Sequence, residues 1–432
     1  MFISNSIYNR LKNNSLYRNS FWAVFGNGIG NFLLLLSGIF IARELGKDLY
    51  GEYGMVKTTM FTVAIFSTFA LGNTSTKFVA EYLQKDISSV KTIIRTTLTI
   101  VASFSFLMCL LLFLYAQQIA DFVDAPQLAT SFKFLGVIIV FRALNTVGAG
   151  ILGGFKDFKR LGINNVIAGV TMIVLCVPLT KMYGLYGSYI SLLLSQVCLC
   201  FLNVFWVYRK QKMIEAYSNN NFGWLLLSFS FPFALNEFVY TFTTWGGSLA
   251  MTKFASLGDL GMYTACMQWN SVILFVPGLL GNVILSYLSS SAADNPQTHH
   301  NLINKMLLIN FVSTLIPMFV VAIMSKHIAD YYGSSFAGLN IIMLVAIWET
   351  LFTCLSRVFE SNLMSEGKKW TAFMISSSLY LLLFIATIII LIVSDGKNAA
   401  MYMVQLCVIK SILSFLIYSV EYRFSVTRVS KI

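Results

Sequence analysis

Six ionisable residues stand inside long apolar stretches of the chain: Arg142, Glu237, Glu349, Arg357, Glu360 and Lys410. Charge at the centre of a hydrocarbon layer costs roughly 2.5–3.5 kcal/mol on insertion scales, so such residues turn to a protein interior or a water-filled cavity. The cations suit an anion, and the guanidinium of arginine offers phosphate a planar fork of donors that stays charged. The carboxylates suit a proton or a small cation. At 100° per residue the eleven-residue step from Glu349 to Glu360 returns to nearly the same helix face, with Arg357 three residues before Glu360. Two readings stay open: a local Arg357/Glu360 pair that only neutralises itself, or the wall of a cavity that an anion approaches.

These residues need elements that cross a membrane. Of 432 residues, 57% are hydrophobic and 11% charged, far too apolar a balance for a soluble domain. Runs of about 20 mostly apolar residues, enough for some 30 Å of hydrocarbon, predict twelve helices. They cover 21–41, 55–71, 93–116, 132–152, 163–182, 185–208, 224–251, 262–288, 303–324, 337–364, 370–393 and 399–420. No alternating barrel pattern competes with this all-α polytopic architecture. The first run lacks a small-residue cleavage site and reads as an uncleaved helix. Loop lysines and arginines divide nineteen to eight between the two sides, which predicts both termini in the cytoplasm.

The chain repeats itself. Gly51-x-Tyr53 recurs as Gly261-x-Tyr263, Gly72-Asn73 as Gly281-Asn282, and Ile119-Ala120-Asp121-Phe122 as Ile328-Ala329-Asp330-Tyr331, all at an offset of 209 or 210 residues. Six predicted helices fit within that offset, so the two halves enter the membrane from the same side, a parallel repeat of the kind transporters use. The predicted organisation is a six-helix lobe over 1–208, a linker over 209–223 and a second six-helix lobe over 224–432.

The offset also pairs candidates. Glu237 maps onto Asn27 in the first helix, with Asn31 one turn further on, and Pro232 just upstream is placed to bend the seventh helix. Arg142 precedes Gly153-Gly154 much as Arg357 precedes Gly367, which suggests one arginine per lobe at similar height. The alternative is that either arginine pairs with Glu237 or Glu349. Substrate-binding candidates are thus Arg142, Arg357, Lys410, Asn27 and Asn31; ion-coupling candidates are Glu237, Glu349 and Glu360.

Other chemistry finds little support. No GxxxxGK[ST], HExxH or GxSxG pattern is present, so neither ATP hydrolysis nor hydrolase chemistry has a motif, and no cofactor is expected beyond a coupling H⁺ or Na⁺. The seven cysteines fall in apolar segments without metal-ligand spacing. His299, His300 and His327 are read as loop residues without metal partners.

Asn19-Ser20-Phe21-Trp22, then Ala42-Arg43-Glu44-Leu45-Gly46 leading into Tyr50-Gly51-Glu52-Tyr53, resemble bacterial lipid-linked oligosaccharide flippases of the Wzx type, in the polysaccharide transporter family of the multidrug/oligosaccharidyl-lipid/polysaccharide (MOP) exporters. The resemblance implies a fold like that of the multidrug and toxic compound extruders (MATE), in the bacterial inner membrane. It implies flipping of an undecaprenyl-diphosphate-linked O-antigen or capsule repeat unit, not an enzymatic reaction. Implied partners are that lipid-linked oligosaccharide, membrane lipids, a polysaccharide polymerase and a chain-length regulator, with no nucleic acid. Twelve helices depart from the lipid II flippases, where two more are usual. The competing readings are a cation-coupled multidrug extruder of the same fold and, from another class, a membrane glycan polymerase or glycosyltransferase.

Overall fold

A computed structural model describes residues 15–122, 124–214, 221–275, 277–278, 296–366 and 368–429. Regular structure among them is helical: α1 (Ser15–Thr68), α2 (Leu71–Lys85), α3 (Ile87–Phe122), α4 (Leu128–Gly154), α5 (Phe158–Lys212), α6 (Gly223–Phe254), α7 (Leu257–Ile273), α8 (Pro296–Tyr332), α9 (Leu339–Ser365), α10 (Lys369–Val393) and α11 (Ala399–Val429), with a 3₁₀ turn at Ser334–Phe336. Helix underlies each of the twelve expected spans, the eighth passing outside the described residues at 276 and 279–288. Among the described residues, eight helices are long and apolar enough to cross a membrane.

Two of those eight carry a pair of expected spans each. As one rod, the 54 residues of α1 would reach about 81 Å at 1.5 Å per residue, more than twice the hydrocarbon thickness. Instead the helix breaks at Gly46, where φ is 71° and ψ 174°. The spans 21–41 and 55–71 left 42–54 between them as a connection, yet helix runs through it: φ is positive and ψ extended at Gly46 alone, so one residue interrupts the helix and Lys47 resumes it. Gly184 breaks α5 in the same way, with φ 57° and ψ −134°.

A second departure follows Thr68. The expected span ended at Leu71, yet helix restarts there after Phe69 and Ala70, both at positive φ, and continues to Lys85. The Thr-Ser-Thr run reads as loop, but its hydroxyls are used inward: Thr74 Oγ1 lies 2.7 Å from Ser230 Oγ, and Thr76 Oγ1 donates to the Gly150 carbonyl at 2.9 Å. A hydroxyl with a partner removes the penalty of burying it.

By internal contacts the chain groups into two compact units, one of residues up to Leu45 with Val56–Thr241, the other of Gly46–Met55 with Phe242–Ile432. The first unit has an aliphatic core of Val90, Ile93 and Ile94 from α3, Ala143, Val147 and Ile151 from α4, and Val207 from α5. Amides cross this core in pairs. Asn164 donates to Asn203 Oδ1 at 2.8 Å, Asn145 to Gln196 Oε1 at 2.9 Å, and Asn165 to Asn27 Oδ1 at 2.5 Å.

In the second unit Ile303, Val358, Phe359, Leu363, Tyr418 and Tyr422 form one core cluster. The segment after Gly46 packs elsewhere in the same unit. Tyr50 is fully buried, donates to Gln268 Oε1 at 2.8 Å and packs edge-on against Phe336. Here the two copies of the repeated motif meet directly: Gly51 lies against the Leu257 carbonyl and Gly261 against the Lys47 carbonyl, so close that a Cβ on either glycine would overlap backbone.

Candidate functional site

Three helices of the second unit line a polar cleft that opens to its surroundings. From α9 come Ser356, Arg357 and Glu360, spaced so that they share a face; from α10, Ser376 and Tyr380; from α11, Lys410, Ser411, Ser414 and Tyr418. Lys410 Nζ sits 4.7 Å from the centre of the Tyr380 ring, a cation–π contact that orients the ammonium. Tyr418 closes one side, its hydroxyl donating to the Ala372 carbonyl at 3.0 Å.

The cleft brings together three of the eight candidates read from sequence: Arg357, Glu360 and Lys410. Arg357 and Glu360 do not close into an ion pair within 4 Å, although both cations lie within electrostatic reach of the Glu360 carboxylate. Two cations against one carboxylate leave the cleft net positive and ringed by hydroxyls. That combination can hold an anion while hydrogen-bonding a polyhydroxylated group.

Glu349 is placed apart, eight residues and about 12 Å up α9 from Arg357. It accepts a hydrogen bond from Asn270 Nδ2 of α7 at 2.9 Å, and the same nitrogen donates to the Ala346 carbonyl at 3.1 Å. Asn270 is 4% exposed, and its Oδ1 meets no donor among the described residues. A carboxylate beside an unmet carbonyl oxygen is a donor set suited to a hard cation or to a proton.

The other candidates are placed separately. Arg142, half-buried in the first unit, lies 5.3 Å from the Phe61 ring centre, and Lys57 is within its electrostatic reach. Asn27 is engaged by Asn165, whereas Asn31 is exposed. Glu237 is exposed on α6, which continues through Pro232; the Thr241 hydroxyl donates to the Glu237 carbonyl. The Gly367 after α9 lies outside the described residues.

The histidines are not in loops as expected. Pro296, whose missing N–H suits a helix start, begins α8, so His299 and His300 lie in its first two turns and His327 near its end. His299 Nε2 lies 2.7 Å from Asn362 Oδ1, and His300 stacks on Tyr422 with Nδ1 2.5 Å from its hydroxyl. Among the described residues no three of His, Cys, Asp and Glu converge as metal ligands.

Sequence reasoning missed the hydroxyl ring and Asn270. Hydroxyls and amides cost less than charges in a membrane, so singly they give no signal. Their spacing does: Ser411, Ser414 and Tyr418 recur at helical intervals beside Lys410.

Known proteins resemble the chain in sequence and in fold. The family model described as "Polysaccharide biosynthesis protein" matches residues 16–291. A Shigella flexneri protein named "Putative O-antigen transporter" is 20% identical over 347 residues, covering 76% of this chain and 81% of that one. Among solved structures, an inward-facing MATE family multidrug resistance transporter of the MOP superfamily aligns with a TM-score of 0.78, at 13% identity over 93% of this chain and 96% of that one. The lipid II flippase MurJ, in an inward closed conformation, aligns at 0.73, with 15% identity over 94% and 87%. The chain is an all-α, multi-pass membrane protein with a MATE-like fold, and it belongs to the polysaccharide biosynthesis protein family, as the Wzx-type resemblance implied.

Proposed function

We propose that the protein carries an undecaprenyl-diphosphate-linked oligosaccharide from the cytoplasmic to the outer leaflet of the bacterial inner membrane. Transport proceeds by alternating access of two six-helix lobes, 1–208 and 224–432, joined by 209–223, with both termini cytoplasmic. The observation that carries this reading is the α9–α11 cleft. Its Arg357 and Lys410 match a diphosphate, and its serines and tyrosines match a sugar. Arg142 with Lys57 supplies further positive charge in the first lobe. The named O-antigen transporter and the lipid II flippase among the similar proteins support a glycan-linked lipid as cargo. The net-positive cleft disfavours an extruder of cationic drugs.

Coupling rests on Glu349, Glu360 and Glu237. A gradient drives transport only if the ion binds one state better than the other, and the Glu349–Asn270 pair offers oxygen donors for H⁺ or Na⁺. The test is transport of a diphosphate-linked oligosaccharide lipid into proteoliposomes. The expected result is at least a tenfold lower rate for the Arg357→Ala/Lys410→Ala double variant, with a monodisperse elution profile retained. An unchanged rate overturns the assignment of the cleft. Transport indifferent to both pH and Na⁺ gradients overturns the coupling.

A further inference from the structure

A different surface, in the first unit, joins the end of α4 to both ends of α5. Within residues 155–160 and 205–212 stand six cations and one carboxylate: Lys156, Lys159, Arg160, Arg209, Lys210 and Lys212 against Asp157. They do not simply repel into solvent. Asp157 is bonded by Arg160 and by Lys210, the latter at 3.0 Å, and this fixes two cations in place. The Arg160 guanidinium lies 3.8 Å from the Trp206 ring centre, and Arg209 lies 5.0 Å from Phe205. Rings thus back the guanidinium groups, and Lys156, Lys159, Arg209 and Lys212 are exposed around them.

The aromatic side chains locate this cluster. Phe205 and Tyr208 are exposed and continue the apolar surface of α5, so the charges begin where a membrane helix ends, at headgroup depth. Apolar rings facing acyl chains beside exposed cations match a ligand with an acyl body and an anionic head. We propose that this surface binds the headgroup of an anionic phospholipid of the surrounding bilayer, held by Lys156, Lys159 and Lys212 beside the stacked Arg160 and Arg209. The site is distinct from the α9–α11 cleft and does not depend on the cargo assigned there.

Full-length protein in nanodiscs of zwitterionic lipid, titrated with phosphatidylglycerol or cardiolipin and read by native mass spectrometry, tests this. Each cation near a bilayer surface is worth about fivefold in affinity, so Lys156→Gln/Lys159→Gln/Lys212→Gln is expected to weaken retention of anionic lipid about a hundredfold. A control with Lys133→Gln/Lys326→Gln/Lys397→Gln, the same change in net charge, is expected to retain it. Equal retention by both variants and the unaltered protein overturns the proposal. Displacement of the lipid by micromolar inorganic diphosphate also overturns it, by assigning the surface to a soluble anion. Retention lost in the first variant alone, in a protein that still elutes as one species, supports it.

Discussion

The two units treat interior polarity differently. In the first, buried amides meet one another across helix crossings: Asn164 with Asn203 and Asn145 with Gln196, all at most 5% exposed. In the second, charged groups line a cleft, and the one carboxylate there closes no ion pair with the neighbouring arginine. A buried polar group with a partner acts as a strut, because losing the partner leaves a desolvated donor or acceptor. Arg357 and Glu360 share the cleft without pairing with each other, and Lys410 rests against the Tyr380 ring. The contrast sets amides that hold the fold against charges proposed to meet cargo, a distinction invisible to burial alone.

Charge reversal should break the comparison most strongly. Arg357→Glu turns the cleft from net positive to net negative, and removing one member of a desolvated charge contact typically costs 2–5 kcal/mol of binding. Transport in proteoliposomes should fall below detection while thermal stability changes little. A loss of stability equal to that of a core mutant would place Arg357 among the struts.

Next comes Asn203→Leu, which leaves the buried Asn164 amide without its acceptor. An unmet buried donor costs about 1–3 kcal/mol, so the unfolding midpoint should drop by several degrees while transport per folded molecule persists. Loss of transport at full stability would show that the first unit's amides serve cargo.

Glu349→Gln is nearly isosteric, keeps an acceptor for Asn270 and removes the charge. It should leave the unfolding midpoint within a degree or two but flatten the dependence of transport on the driving gradient. An unchanged gradient dependence would move coupling to Glu360 or Glu237.

The smallest effect concerns Asp157. Burial by itself raises its pKa, but hydrogen bonds from Lys210 and Arg160 outweigh burial and hold the carboxyl below the usual carboxylate range. With the folded pKa depressed, the stabilisation is present above the unfolded value and is lost as pH falls through the folded one. Thermal scans of the unaltered protein and of Asp157→Asn should therefore differ slightly at neutral pH and converge in acid. Curves that stay parallel into acid would remove Asp157 as the anchor of the basic surface.

Much of the architecture was legible in the sequence because a membrane demands apolar runs of fixed length, and the twelve runs stand out against their flanks. The breaks were less so. Gly46 and Gly184 fall in the gaps between expected spans, whereas each is a single residue that interrupts otherwise continuous helix. The extension to Lys85 was hidden because Thr74 and Ser75 look like loop residues until Ser230 and neighbouring carbonyls are in place. In the cleft, helical spacing on one segment identified Arg357 and Glu360, and an intramembrane charge identified Lys410. What spacing along a segment cannot supply is the pairing of segments, which is why Asn270 beside Glu349 and Tyr380 beside Lys410 emerged only with the fold.

The glycine crossing of the second unit has an unusual symmetry. Lys47 and Leu257 are one repeat offset apart, as are Gly51 and Gly261, so the contact of Gly51 with Leu257 is the image of the contact of Gly261 with Lys47. Residue i of one copy meets residue j of the other, and j meets i, which is the defining reciprocity of an isologous interface. Each glycine is therefore kept small by the backbone of the other copy, and two positions 210 residues apart answer to one constraint. A half-length chain with a single copy of the motif would already hold both sides of this contact, and so would meet the geometric condition for pairing with itself.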